Sequence, residues 1–366
     1  MGKRNIAVIF GGKSNENEIS VITGTMAANV LKSGGDTVIP VYISREGTVY
    51  TGDNLADINI FKNRKWASCP RAVIAMGGIY SLNKRGKLKK FRKVDVALNC
   101  CHGGAGEGGG VCGWLELNGI PLAGAGMFES AAFMDKYYTK LILRSLGVRK
   151  APYAYLKSAD DIEEAEKLGY PLIVKPAKLG SSIGIARADD RESLTNALQA
   201  AFCYDDGVIV EKYLTGRREI NCAAYFSDGK VITSECEEVF TRGDILSYDD
   251  KYAGGGKSVM PAVLHKRTAE RIKTLTAKVY SRLNMRGIVR FDYIISEGKL
   301  YLSEVNTVPG SLSYYLLSNG FKDFYPVLQA VIIQAEDDKK RRDNKLILDT
   351  GILDNLPSNA CKRGTK

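Results

Sequence analysis

The stretch Gly287-Ile-Val-Arg-Phe-Asp-Tyr-Ile-Ile-Ser-Glu-Gly-Lys-Leu-Tyr-Leu-Ser-Glu-Val-Asn-Thr-Val-Pro-Gly310 decides the fold of this 366-residue chain. Two runs of β-branched and aromatic residues flank Ser296-Glu297-Gly298, a pattern that predicts a β-hairpin. A three-residue loop with Gly298 in the left-handed conformation would place Ile295 opposite Lys299.

Polar residues interrupt these apolar strands at regular intervals. Side chains alternate between faces along a strand, so this register places four of them together: Arg290, Asp292, Glu304 and Asn306. A loop of two or four residues would separate the two carboxylates. Carboxylate and amide oxygens suit Mg²⁺, whereas two neighbouring buried carboxylates without a cation would be costly. We therefore predict a metal-binding face; the alternative is a solvated edge hairpin.

Length and composition indicate a soluble protein of two or three domains, with 45% hydrophobic and 25% charged residues. No apolar stretch is long enough to cross a bilayer, and the apolar run at 6–10 is too short for a signal peptide. The eight cysteines lack zinc-type spacing, and several lie in apolar runs typical of reduced thiols. These features predict a cytoplasmic protein without a membrane partner.

The net charge is +11, from 52 basic and 41 acidic residues. The basic residues are spread along the chain, apart from short clusters at 83–93 and 339–342. No basic helix face or aromatic-plus-basic RNA motif is present, so we predict no nucleic-acid partner. A small anionic substrate is compatible with this charge.

The N-terminal region reads as a strand at 6–10, a loop at 11–18, a helix at 19–32 and a strand at 36–43. This is a βαβ opening with a parallel sheet. The polar region 45–93 predicts loops and short strands.

A second strand, at 94–101, leads into a glycine-rich loop, His102-Gly-Gly-Ala-Gly-Glu-Gly-Gly-Gly110, and a helix at 111–118. Glycines at a helix N-terminus allow close approach of an anion. The loop also matches the GxGxxG pattern, and Glu129 follows at the expected distance. A dinucleotide-binding oxidoreductase is therefore an alternative, although that motif normally occupies the first βα turn of a Rossmann domain.

The middle of the chain predicts one amphipathic helix over 131–150 and then a compact α+β lobe over 153–213. In this lobe we expect helices at 160–168 and 191–202, strands at 170–176 and 208–214, and a small-residue loop at 178–184. From 219 the chain becomes strand-rich, with strands at 220–226 and 230–239 and a helix at 269–283. Between them, the loop 241–258 carries Tyr248, Lys251 and Tyr252, which suit a mobile lid.

Taken together, these motifs resemble the D-alanine–D-alanine ligase family of the ATP-grasp superfamily. The resemblance runs in order over residues 4–335 and rests on eight motifs: Gly11-Gly-Lys-Ser-Asn-Glu-Asn-Glu-Ile-Ser20, His102-Gly-Gly-Ala-Gly-Glu107, Met134-Asp-Lys136, Val174-Lys-Pro176 with Gly180-Ser-Ser-Ile-Gly184, Glu211-Lys212, Tyr248-Asp-Asp-Lys-Tyr252, Arg290-Phe-Asp292 and Glu304-Val-Asn-Thr-Val-Pro-Gly310.

The resemblance implies an α/β and α+β architecture, an ATP-grasp fold with an N-terminal Rossmann-like parallel-sheet domain. It implies four segments: an N-terminal substrate domain (1–130), a central ATP-grasp lobe (131–217), a C-terminal lobe with the metal and substrate site (218–335), and a charged tail (336–366).

The activity that the resemblance implies is peptide-bond formation in two steps. ATP phosphorylates the carboxylate of one D-alanine, and the amine of a second D-alanine attacks the acyl phosphate, giving a precursor of peptidoglycan. The implied cofactors are ATP as co-substrate and two Mg²⁺ ions, with Mn²⁺ as a substitute. The small-molecule partners are D-amino acids, and a homodimer is expected.

The resemblance also assigns residues to roles. ATP phosphates are held by Lys136, Lys175, Ser182 and Lys251, and the adenosine part by Glu211, Lys212, Leu214 and Glu219. The metals are held by Asp292, Glu304 and Asn306. Catalysis falls to Arg290 and the N–H of Gly310 at the oxyanion, and to Glu16, Ser181 and Tyr252, which bind the first substrate and the lid. His102 and Glu107 assist the first substrate and position Arg290.

This chain departs from the family pattern at two positions. Gly108 stands where the family has an acid, and Tyr315 where it has a serine for the carboxylate of the second substrate. Tyr252 favours an amine acceptor and hence a dipeptide product. The acceptor therefore remains open between D-Ala, D-Ser and another amino acid. A catalytically inactive binding protein is a further alternative, disfavoured by the full set of lysines and metal-ligating residues.

Overall fold

The computed structural model describes residues 3–240, 257–346, 348–354 and 356. Within this part of the chain, no helix has both the length and the apolar composition needed to traverse a bilayer.

A parallel sheet forms the N-terminal unit. Its elements are β1 (Asn5–Gly11), α1 (Asn17–Ser33), β2 (Thr37–Ile43), β3 (Val49–Thr51), α2 (Asn59–Lys62), β4 (Ala72–Ala75), β5 (Gly78–Leu82), β6 (Leu88–Lys93), β7 (Val96–Asn99), α3 (Gly104–Glu107), α4 (Gly110–Leu117) and β8 (Leu122–Ala123). The sheet order is β3-β2-β1-β7-β8, with β1 parallel to β2 and to β7. This confirms the predicted βαβ opening. Strands β4, β5 and β6 form a separate antiparallel sheet.

Strand β1 is buried on both faces after Asn5, where its residues are apolar. Ile6, Val8 and Phe10 enter one core cluster, and Ala7 and Ile9 enter another on the opposite face. The burial holds the C-terminal end of β1 in place. The loop from β1 to α1, which contains Glu16, begins there.

Two helices replace the single helix predicted over 131–150: α5 (Met127–Met134) and α6 (Lys136–Ser145). The prediction was wrong at Asp135, whose backbone is extended with φ −101° and ψ 117°. Its carboxylate accepts a hydrogen bond from the Tyr137 amide at 2.8 Å and so starts a new helix as its N-cap.

An antiparallel sheet with the order β11-β10-β12-β9 follows. Its elements are β9 (Tyr153–Leu156), α7 (Ile162–Glu166), β10 (Leu172–Pro176), β11 (Ala186–Ala188), α8 (Arg191–Phe202) and β12 (Val208–Lys212). The predicted bounds of α8 are confirmed, and Asp190 closes a capping box with Ser193 at its start.

A second antiparallel sheet has the order β16-β15-β13-β17-β18, with β14 beside β13. Its elements are β13 (Arg218–Ser227), β14 (Lys230–Thr233), β15 (Glu237–Phe240), β16 (Lys257–Val259), α9 (Lys266–Arg282), β17 (Val289–Ser296) and β18 (Lys299–Asn306). The single strand predicted over 230–239 is wrong, since β14 and β15 are separate. The Ser234 hydroxyl accepts the Ala223 N–H at 2.9 Å, replacing a backbone carbonyl where the ladder breaks.

The hairpin of β17 and β18 has a two-residue loop, Glu297 and Gly298. The predicted three-residue loop is wrong, because Ser296 rather than Ile295 lies opposite Lys299. Both loop residues have positive φ, 49° and 69°, as a type I′ turn requires.

A β-bulge nevertheless brings the predicted polar residues to one face. Tyr293 pairs with Leu302, but the next residue, Asp292, pairs with Glu304, so Ser303 is the extra residue. In a regular strand, the same two-residue loop would pair Asp292 with Ser303 and turn the Glu304 carboxylate to the opposite face. The predicted polar face is therefore confirmed, but it is formed by a two-residue loop and a bulge instead of a three-residue loop.

The chain ends with α10 (Tyr314–Leu317) and α11 (Phe321–Asp343). Helix α11 packs on the N-terminal sheet, where Val331 and Ile332 join the core cluster of β1. Glu336, where the charged tail was predicted to begin, lies inside α11 and accepts a hydrogen bond from Arg4 at 2.7 Å. The charged residues up to 343 therefore belong to a packed helix.

Candidate active site

Two adjoining cavities lie between the polar face of the hairpin, the N-terminal loops and the small-residue loop after β10. The larger has a volume of about 400 Å³, and ten predicted site residues line it: Glu16, His102, Glu107, Lys136, Ser181, Arg290, Glu304, Asn306, Gly310 and Tyr315. The smaller, of about 110 Å³, is lined by further predicted residues: Lys175, Ser182, Glu219 and Asp292. Residues predicted from six of the eight motifs thus line the two adjoining cavities.

The polar face of the hairpin is held together by Arg290 and Asp292. The guanidinium donates to both carboxylate oxygens, at 2.7 and 2.9 Å, in a bidentate pair. Asn306 Nδ2 donates to Asp292 Oδ2 at 2.9 Å. Burial alone would lower the pKa of the Arg290 guanidinium. The attraction of the Asp292 carboxylate, together with the other acidic groups nearby, is larger and holds that pKa well above its usual value. Arg290 is therefore a fixed positive charge at the wall of both cavities.

The donor set on this face fits a hard divalent cation. Asp292 and Glu304 are directly opposite each other across the hairpin, a position in which side chains lie close enough for one ion to bridge them. Asn306 adds an amide oxygen on the same face. Oxygen donors of this kind suit Mg²⁺. Lys136 Nζ lies 3.6 Å from Glu304 Oε1, so a phosphate ligand would meet both a cation site and a lysine.

Glu16 joins the N-terminal unit to the small-residue loop. The Ser181 hydroxyl donates a hydrogen bond to its carboxylate. A Cβ atom on Gly103 would lie 2.5 Å from Glu16 Oε2, and one on Gly180 would lie 3.0 Å from either oxygen. The backbone thus approaches this carboxylate closely on both sides, and at Gly103 a φ of 68° independently favours glycine.

His102 is a buried, uncharged imidazole at neutral pH. Burial lowers its pKa to about 4, and the nearby Arg290 acts in the same direction. Its Nε2 lies 2.8 Å from the hydroxyl of Thr23, which also accepts the Ser311 N–H at 3.0 Å. Thr23 thus connects His102 to the segment that follows Gly310. Sequence reasoning missed Thr23, and its position on the buried face of α1 was the only available signal.

Glu107 accepts the Gly103 N–H at 2.7 Å. Burial raises its pKa to about 8, and the neighbouring Glu16 carboxylate contributes in the same direction. The carboxyl therefore holds a proton near neutral pH. Its role in positioning Arg290 stays a prediction.

The pH dependence of stability follows from Glu107. Its pKa in the folded protein, about 8, exceeds the ordinary value of 4.5, so its contribution is present below pH 4.5 and is lost as the pH rises through 8. We expect the melting temperature of the wild type to fall between pH 5 and 8.5 by roughly 5–10 °C more than that of Glu107→Gln, since the raised pKa corresponds to several kcal/mol over this range. Glu116→Gln, an exposed change on α4, is the control for thermal scans at each pH. Equal pH dependence in wild type and Glu107→Gln would contradict the assignment.

Lys136 and Lys175, which were predicted to hold phosphates, have different hydrogen-bond partners. Lys136 Nζ donates to the Leu179 carbonyl at 2.5 Å and lines both cavities. Lys175 Nζ donates to Glu211 Oε2 at 2.6 Å. Glu211 is also paired with Lys140, a buried residue that sequence reasoning missed. The available signal was its spacing of one helical turn from Lys136.

The remaining predicted nucleotide residues, Glu211, Lys212 and Leu214, line neither cavity. The ammonium of Lys212 is bound to the carbonyls of Gly169 and Tyr170, at 2.9 and 2.8 Å. Leu214 lies half-buried between β12 and β13. The contacts of Glu211, Lys212 and Leu214 with adenosine stay predictions. The predicted lid residues Tyr248, Lys251 and Tyr252 lie outside the described residues.

A parallel-sheet unit lies beside two antiparallel sheets, and lysines and carboxylates together line the two cavities, an arrangement that is the ATP-grasp fold. Residues 5–125 match the family model described as D-ala D-ala ligase N-terminus, and residues 142–323 match D-ala D-ala ligase C-terminus. The chain belongs to the D-alanine–D-alanine ligase family, and the predicted family and fold class are confirmed.

Individual relatives agree with this assignment over nearly the whole chain. A D-alanine–D-alanine ligase of Thermosipho africanus is 34% identical over 365 residues, which cover 96% of this chain and 98% of the relative. The crystal structure of the D-alanine–D-alanine ligase from Helicobacter pylori has a TM-score of 0.74 and 27% identity, covering 89% of this chain and 98% of its own. That of VanG D-Ala:D-Ser ligase from Enterococcus faecalis has a TM-score of 0.77 and 26% identity, covering 92% and 100%.

Proposed function

We propose that this chain is an ATP-dependent ligase that joins two D-alanines through an acyl phosphate to give D-alanyl-D-alanine for peptidoglycan precursors. The observation that carries the proposal is the larger cavity, which is lined jointly by Lys136, Glu304, Asn306 and Arg290. The family supports the same reaction, since its members here are ligases. The dinucleotide-binding alternative has no such support, and we set it aside.

In the first step, the carboxylate of one D-alanine attacks the γ-phosphorus of ATP, and ADP leaves. Both reactants are anions, so catalysis depends on positive charge and alignment. Lys136 and Lys175 supply charge beside the phosphates. Asp292, Glu304 and Asn306 would hold Mg²⁺, which neutralises phosphate charge when bound. Glu16 would bind the ammonium of this first substrate.

In the second step, the amine of the acceptor attacks the carbonyl carbon of the acyl phosphate. A C–N bond forms, the amine loses a proton, and inorganic phosphate leaves. The carbonyl oxygen becomes negative in between, and Arg290 with the Gly310 N–H would stabilise it. Neutral His102 can accept or donate one hydrogen bond without adding charge beside Arg290.

A coupled assay of ADP release tests this function, with purified protein, MgATP and D-Ala, and with mass spectrometry of the product. Turnover with D-Ala alone and a D-Ala–D-Ala product is expected. Activity only when D-Ser or another D-amino acid is added would support the alternative of a different acceptor. ATP-independent NADH binding without ligase activity would overturn the assignment.

The acceptor pocket is expected to depend on Tyr315. Its hydroxyl lies 3.5 Å from Arg290 Nη1, and burial raises its pKa, so it stays a neutral donor. Tyr315→Phe removes only the hydroxyl, and we expect the KM for the acceptor to rise roughly tenfold, the effect of one hydrogen bond to a charged group. The KM for ATP should stay unchanged. Tyr314→Phe, whose ring packs on Phe321, is the matched control. An unaltered acceptor KM in Tyr315→Phe would show that the Tyr315 hydroxyl does not bind the acceptor.

We infer a cytoplasmic homodimer with small-molecule substrates, as the family resemblance implies. Large apolar side chains are exposed on the consecutive helices α4, α5 and α6, namely Leu117, Phe128 and Tyr138. Exposed apolar side chains on helices that contact one another in succession are compatible with an interface between copies. Light scattering of the purified protein would give the mass of the assembly, and a monomeric mass would contradict the dimer.

A further inference from the structure

Three charged side chains form a buried group behind the smaller cavity, which we call the lysine–glutamate triad. Lys140 lies on α6, Glu211 on β12 and Lys175 on β10. Glu211 uses both of its oxygens: Oε1 pairs with Lys140, and Oε2 accepts from Lys175 at 2.6 Å. The side chains of Lys140 and Glu211 are 1% and 6% exposed, so water screens these charges little.

The triad carries two positive charges and one negative charge. Burial lowers the pKa of Lys140, and the Glu211 carboxylate opposes that effect. Burial would raise the pKa of Glu211, yet the two ammonium groups hold it well below its usual range. With both lysines protonated, the triad has a net charge of +1, which favours an anion nearby.

The three members differ in their access to the cavities. Lys175 lines the smaller cavity, together with Lys136 and Glu304. Lys140 lines neither cavity. Among the described residues, the Lys140 ammonium has no further hydrogen-bond partner. The Glu211 carboxylate is therefore the group that balances its buried positive charge. Lys140 therefore contacts no ligand in either cavity directly, and its ion-pair partner is Glu211.

Removal of Lys140 would change how Glu211 binds Lys175. With both ammonium groups present, Lys140 and Lys175 share the single negative charge of Glu211. Part of the positive charge on Lys175 is then not neutralised and can attract an anion in the cavity. With Lys140 replaced by an apolar residue, Glu211 would neutralise Lys175 alone. The cavity would then lose the net positive charge beside it. Because the surroundings are of low dielectric, this loss would strongly weaken the attraction for an anion.

We propose that Lys140 is a positioning residue for nucleotide binding, which holds Glu211 so that Lys175 presents net positive charge to the phosphates of ATP. This inference rests on the proposed use of ATP. It assigns to Glu211 a role in setting the charge of Lys175, in addition to its predicted contact with adenine.

Calorimetry of MgATP and adenosine binding to four proteins tests the proposal: the wild type, Lys140→Met, Glu211→Gln and the double variant. Lys140→Met should weaken ATP binding roughly tenfold, within the coupling range of groups in one charged network. Adenosine binding should change less than twofold, because the effect acts on phosphate charge. In the Glu211→Gln background, Lys140→Met should have no further effect on ATP binding. Lys167→Met removes an exposed ion pair with Glu164 in the same lobe and is the matched control, expected to behave as wild type.

The outcomes separate the inference from the proposed function. If the wild type binds no ATP, the proposed function fails. If the wild type binds ATP and Lys140→Met weakens ATP and adenosine equally, Lys140 is structural and the inference fails. Additive losses in the double variant would also overturn it. If Lys140→Met alone does not fold, the comparison of Glu211→Gln with the double variant still decides, because a further loss of ATP affinity there contradicts the proposal.

Discussion

Glu304→Gln is expected to slow ADP release by about a hundredfold or more. The substitution keeps the shape of the side chain but removes the charge that would bind Mg²⁺ opposite Asp292. Stabilisation of phosphate charge by a metal ion contributes several kcal/mol, and each 1.36 kcal/mol changes the rate tenfold. The measurement is the coupled ADP assay with D-Ala, repeated over a range of Mg²⁺ concentrations.

The Mg²⁺ titration separates two effects of this change. Glutamine also removes the ion pair with Lys136, whose Nζ lies 3.6 Å from Glu304 Oε1. Loss of the metal site should shift half-maximal activity to higher Mg²⁺, whereas loss of the ion pair alone should not. Glu297→Gln makes the same chemical change at the exposed turn of the same hairpin and should leave the activity intact. Wild-type activity of Glu304→Gln at limiting Mg²⁺ would falsify the metal role.

Arg290→Lys is expected to lower kcat for dipeptide formation by about 10²–10³-fold, the usual cost of losing one oxyanion donor. Lysine keeps the charge, but an ammonium cannot make the bidentate pair by which Asp292 fixes the guanidinium at 2.7 and 2.9 Å. The donor would therefore leave the position where negative charge develops. The KM for ATP should change much less than kcat, and steady-state kinetics with product analysis measures both.

Arg218→Lys is the matched control for this prediction. Arg218 makes a comparable bidentate pair with Glu238, at 2.7 Å for both contacts, on the same sheet but outside the lining of either cavity. Its replacement should cost some stability and little activity. If Arg290→Lys retained wild-type kcat, the oxyanion role would have to be reassigned, with the Gly310 N–H as the remaining candidate.

Features set by local sequence could be predicted. The apolar runs of β1 and β2 and the helical spacing of α1 indicated the parallel opening, because burial on both faces of a strand leaves a continuous apolar signal. The helix α8 was predicted with its observed bounds, since Asp190 caps it and its apolar residues recur at helical intervals. The order of the motifs was sufficient to identify the family.

Features set by tertiary contact could not be predicted. The bulge at Ser303 leaves no local signal, because serine is compatible with a regular strand as well. The ion pairs of Glu211 join α6 to β10 and β12, a tertiary contact that the one-turn spacing of Lys140 from Lys136 does not reveal. The link from Thr23 to His102 and Ser311 likewise joins three distant segments. These contacts hold the predicted residues in position.

The bulge in the hairpin has a consequence for how such a site tolerates change in chain length. Moving one residue from position 303 into the turn would convert the two-residue loop into a three-residue loop and remove the bulge. Every strand pair, including Asp292 with Glu304, would be kept. The metal-binding face is therefore compatible with more than one distribution of residues along the hairpin. The number of residues between Asp292 and Glu304 can therefore vary, as long as the bulge or the loop takes up the difference.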